Sequence, residues 1–67
     1  MNTYTALYRI ESIMSPLDAP FGFICMADDA DHAEEQCENA YPDAAVVWVA
    51  ETDSYAAALD DYYADAA

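Results

Sequence analysis

The chain has 67 residues, fourteen of them Asp or Glu against one Lys or Arg, and a net charge of −13. A hydrophobic fraction of 57%, with six Tyr, two Phe and one Trp, excludes the disordered acidic class, which is poor in such residues. The charge excludes nucleic acid and anionic membrane as direct partners by simple repulsion, and leaves a basic protein surface as the natural one.

Residues Thr3 to Glu11 alternate. Tyr4, Ala6, Tyr8 and Ile10 point one way, and Thr3, Thr5, Arg9 and Glu11 the other, which predicts a strand; Leu7 breaks the alternation. Ser15, Pro16, Asp18 and Pro20 mark a loop. Phe21 to Ala27 reads as a second strand, with Gly22 as a bulge or a close-approach point, and the two strands should pair as a hairpin with a long connection.

Asp28 or Asp29 is placed to cap a central helix. Its apolar face is predicted to be Ala30, Ala33, Cys37, Ala40 and Tyr41, with Asp31, Glu34, Glu35 and Glu38 opposite. Pro42 disfavours helical geometry at Tyr41 and ends the helix. Ala44 to Ala50 is a third strand, apolar on both faces, hence central or covered on both sides. Thr52, Asp53 and Ser54 are alternative caps of a second helix, Tyr55 to about Asp65. Tyr55, Ala58, Leu59, Tyr62 and Ala66 should face inward and Asp60, Asp61 and Asp65 outward, with one of Tyr62 and Tyr63 exposed.

The expected architecture is a single α+β domain, β-β-α-β-α, with a three-stranded, mainly antiparallel sheet in the order 2-1-3 and two helices on one face. The other face would then show some of Leu7, Val47 and Val49, and need a dimer contact or a covering loop.

Few residues suggest chemistry. His32 with Asp28 and Glu35 forms only a loose, exposed trio, and the DDADH run lacks the Gly and terminal Glu of a calcium loop, so no metal is expected. Carboxylates are so frequent that their pairing signals nothing, and none lies in an apolar run that would shift its pKa. With one Gly, no CxxC and no Ser-His-Asp pattern, the expectation is a non-enzymatic protein without cofactor. Cys25 and Cys37 sit in apolar settings and are expected to be free thiols, as suits a cytoplasmic protein. The N-terminus does not read as a signal peptide, and no apolar run approaches the roughly 20 residues of a membrane span.

What remains is the acidic surface. On the central helix Asp28–Asp31, Asp31–Glu34, Asp31–Glu35, Glu34–Glu38 and Glu35–Glu38 are like-charge neighbours, costing about 1–2.5 kcal/mol together. Asp28, Asp31, Glu35 and Glu38 run up one side over about 15 Å. A charge every ~5 Å is comparable with the ~3.4 Å per phosphate of one nucleic-acid strand.

In length, acidity and order of elements the chain resembles the small acidic phage-encoded anti-CRISPR proteins that imitate DNA, among them those directed at a type I Cascade surveillance complex, subtype I-C included. The resemblance implies an inhibitor in the host bacterial cytoplasm, acting as a monomer or weak dimer on a basic DNA-binding or PAM-reading groove of a Cas protein. The residues it would use are Asp28, Asp29, Asp31, Glu34, Glu35, Glu38, Asp60, Asp61 and Asp65. The alternative is a small acidic structural or accessory domain, salt-adapted or dimeric, with no nucleic-acid site as target.

Overall fold

A computed structural model describes the backbone of residues 1–66 and the side chains of residues 1–65. Strands β1 (Asn2–Arg9), β2 (Phe21–Ala27) and β3 (Ala45–Ala50) form one antiparallel sheet in the order β2-β1-β3, with helix α1 (Ala30–Ala40) between β2 and β3 and helix α2 (Tyr55–Ala66) last. The α+β class, element order and strand order are those expected from the sequence.

The first strand stops two residues early because Ile10 turns: its carbonyl accepts from the amide of Ile13 at 3.1 Å. Arg9 then organises the long connection. Its guanidinium donates to the carbonyls of Asp18 (2.6 Å) and Ser15 (2.7 Å) and pairs with Glu11 at 3.1 Å.

The helices do not share a face. Tyr4, Ala6 and Tyr8 of β1 project toward α1, where they meet Ala33 and Cys37 in two adjoining clusters completed by Ala27, Phe23, Cys25, Val46 and Val49. Thr5 and Leu7 project to the other side and are fully buried there. That second face belongs to α2. The ring of Tyr55 packs against Gly22, the cross-strand neighbour of Leu7, and Trp48, its other neighbour, touches Tyr62 with ring centroids 6.1 Å apart.

The expectation of two helices on one face is therefore corrected to one on each. The reason is visible in two features. Leu7 and the doubly apolar β3 need cover on the second face, since exposed apolar surface is unfavourable. The chain leaving β3 is also steered there, because Thr5 Oγ1 donates to the carbonyl of Thr52 at 2.8 Å. A bulge in β3 serves the same end. Leu7 pairs with Trp48 but Tyr8 pairs with Val46, leaving Val47 as the extra residue.

The narrow face predicted for α1 is narrower still. Ala33 and Cys37 are buried, whereas Ala30, Ala40 and Tyr41 are exposed. Tyr41 lies at the end of the sheet and stacks on Tyr8, centroids 5.0 Å apart. On α2, Ala58 is buried and Leu59 and Tyr62 are half-buried; Tyr55 is partly open and Tyr63 exposed. The expected inward side chain of Ala66 lies outside the described residues.

Candidate functional site

The acidic residues are displayed by two differently built helices. At the start of α1, Asp29 is the N-cap: its Oδ1 accepts from the amide of His32 at 2.8 Å, so this carboxylate has a structural partner. Asp28 is exposed, and its Oδ2 stands 3.9 Å from His32 Nδ1. Beyond the first turn, Asp31, Glu35 and Glu38 are exposed and Glu34 half-buried, on the helix side away from Ala33 and Cys37. From Asp31 to Glu38 this row extends about 10 Å.

On α2, Ser54 is the N-cap: its Oγ accepts from the amide of Ala57 at 3.1 Å, while Thr52 Oγ1 accepts from the amide of Ser54. Asp60, Asp61 and Asp65 are exposed. Asp61 is not free. Trp48 Nε1 donates to its Oδ2 at 2.9 Å, fixing the helix to β3. Nothing in the residue pattern points to this bond, which depends on α2 lying on the Trp48 face.

The nine candidate carboxylates thus fall into two groups separated by the sheet. Asp28, Asp29, Asp31, Glu34, Glu35 and Glu38 belong to one flank, and Asp60, Asp61 and Asp65 to the other. A single flat partner surface meets one group at a time.

Compensating charge is nearly absent. Among the described residues, the salt bridge is Arg9–Glu11; His32 Nδ1, near the Asp28 carboxylate, accepts from the Asp28 amide at 3.2 Å. Asp31, Glu34, Glu35, Glu38, Asp60, Asp61 and Asp65 have no cationic partner. Among the described residues no three His, Cys, Asp or Glu side chains converge as a metal site would require, and no helix is long and apolar enough to cross a membrane.

The thiols are of a different kind. Cys25 and Cys37 are both free, and burial raises both above the ordinary thiol range. For Cys37 the value is about 11, with Cys25, Glu38 and Glu34 adding to the effect of burial. Neither thiol is activated for nucleophilic work at neutral pH. Searches against known protein families, characterised proteins and solved structures find no match to this chain.

Proposed function

We propose that this chain is a non-enzymatic inhibitor that presents carboxylates in place of DNA phosphates and occupies a basic DNA-binding groove of a protein partner. The observation that carries this reading is the uncompensated row on α1. Asp31, Glu34, Glu35 and Glu38 stand on a short helix with no cation beside them, so they repel one another at a cost the fold itself does not offset. A groove lined by Lys and Arg turns each of those repulsions into attraction. The α1 flank is the docking face in this reading. The α2 carboxylates, on the far side of the sheet, contribute long-range attraction only. The expected target is the PAM-reading groove of a type I Cascade complex in the cytoplasm of a host bacterium, where occupation alone blocks DNA entry.

The test is competition for a purified type I surveillance complex. Short duplex DNA should displace the protein, and its affinity should fall steeply along a salt series. The variant Asp31→Lys/Glu35→Lys should stay folded and lose inhibition, whereas Asp60→Lys/Asp65→Lys should weaken binding only slightly. Simultaneous binding of DNA and protein, or full affinity in the α1 variant, would overturn the reading. A protein that unfolds at low ionic strength and binds no such complex would instead be a salt-adapted domain.

A further inference from the structure

The two edges of the sheet are managed differently. Exposed strand edges offer unpaired backbone groups to other strands, and proteins usually blunt them with charge, Pro or bulges. The β3 edge is interrupted by the bulge at Val47 and flanked by Asp43, Glu51 and Asp53. The β2 edge has none of these defences. Its seven residues, Phe-Gly-Phe-Ile-Cys-Met-Ala, include no charge and no Pro, it pairs with β1 without a register break, and among the described residues no strand lies on its outer side. At the Met26 end Gln36 Nε2 donates to the strand's carbonyl at 2.8 Å.

The sheet surface beside this edge is also bare. The helix α2 lies over β1 and β3 and reaches β2 through Tyr55 at Gly22. Ile24 and Met26, on that same face, are left about half exposed, at 51% and 52%. A basic partner has no carboxylate to meet on this strand. A strand of the same apolar composition matches it.

We propose that β2 is a self-association edge: two copies of this chain pair their β2 strands antiparallel about a two-fold axis through Ile24, making one continuous six-stranded sheet. Ile24 is the middle residue of β2, so this register matches the whole strand to itself. It sets Ile24 against Ile24 and Gly22 against Met26, and gathers Ile24 and Met26 of both copies into one apolar strip. It also keeps the two copies of Asp28 apart. Each Asp28 is four residues from the axis, so the two stand roughly 26 Å from each other along the sheet, beyond two Debye lengths at physiological salt. The α1 helices do come to lie on one face of the joined sheet, and their carboxylates repel. Self-association must therefore strengthen as salt rises, the opposite of the dependence proposed for the basic partner, so either reading can fail without the other.

The test is sedimentation equilibrium of the full chain across a salt series, beside hydrogen exchange of the β2 amides. A dimer that tightens with salt, with new protection at alternate β2 amides, is the expected result. Ile24→Glu, a change at an exposed position, should weaken the dimer roughly tenfold or more, because an apolar pair is replaced by facing like charges. Leu17→Glu, at a loop position 96% exposed, should leave it unchanged. A monomer at every salt and concentration would overturn the proposal. So would a dimer that Leu17→Glu abolishes and Ile24→Glu does not, or one that forms without protecting β2.

Discussion

Tyr55 occupies the space that a side chain at position 22 would need. Its ring sits against the bare α-carbon of Gly22, well inside the contact distance of an added methyl, and its hydroxyl donates to the carbonyl of Pro20. The first residue of α2 thereby holds the start of β2, across the sheet face that Leu7 fills. Gly22→Ala should destabilise the fold by about 1–3 kcal/mol, the usual range for overpacking. In a Tyr55→Ala background the same change should cost much less. A double-mutant cycle from urea denaturation checks this, and additive effects would show that the two residues do not compete for the space.

Glu38 lies in the last turn of α1, where the helix dipole favours a cation, and three and four residues after two other acids. Glu38→Lys should stabilise the protein by about 1 kcal/mol, by reversing two repulsions and suiting the dipole. The gain should shrink in high salt. Thermal unfolding with and without salt measures both parts, and a loss of stability at low salt would contradict the placement of Glu38 beside Glu34 and Glu35.

The Trp48–Asp61 hydrogen bond joins an exposed carboxylate to the indole N–H of β3. Asp61→Asn retains an acceptor and should be close to neutral, whereas Asp61→Ala should lose about 0.5–1.5 kcal/mol. Trp48 is the sole tryptophan, so its fluorescence reports the site directly. An emission spectrum that shifts in the Ala variant and not in the Asn variant is the expected outcome.

Stability should fall at alkaline pH through Cys37. Its thiol is pushed up from 9.0 to about 11 in the folded protein, first by burial, so folding favours the protonated form. The contribution is fully present below pH 9.0 and is lost as pH rises from there toward about 11, where the unfolded thiol ionises and the folded one does not. Tyr8, whose hydroxyl burial also raises, acts in the same direction at higher pH. Cys37→Ala should make the decline of the urea midpoint between pH 9.0 and 11 shallower. An unchanged slope would assign the decline to Tyr8 and Cys25. In the native protein both thiols should alkylate slowly at neutral pH, and two should be counted after denaturation.

Much of the chain's local structure follows from short-range rules. The strand at Phe21–Ala27, a cap at Asp28 or Asp29, the stop before Pro42 and a start of α2 after one of Thr52, Asp53 and Ser54 all follow from alternation, capping and proline geometry, which depend on neighbours within a few residues; the folded chain uses Asp29 and Ser54. The charge of the surface is likewise a property of composition. The faces of the sheet are another matter. Leu7 disturbed the alternation of β1, and β3 was apolar on both sides; each was a sign of two-sided burial whose partner was not visible in the sequence. Which helix covers which face was decided by contacts between residues far apart in the chain: Thr5 with the Thr52 carbonyl, Gly22 with Tyr55, Trp48 with Asp61. The same contacts divided the acidic residues between two flanks and left β2 as the edge without charge, Pro or bulge. Helical spacing fixes the side of a helix on which a carboxylate stands, but only the packing of that helix fixes the direction in which it faces the world.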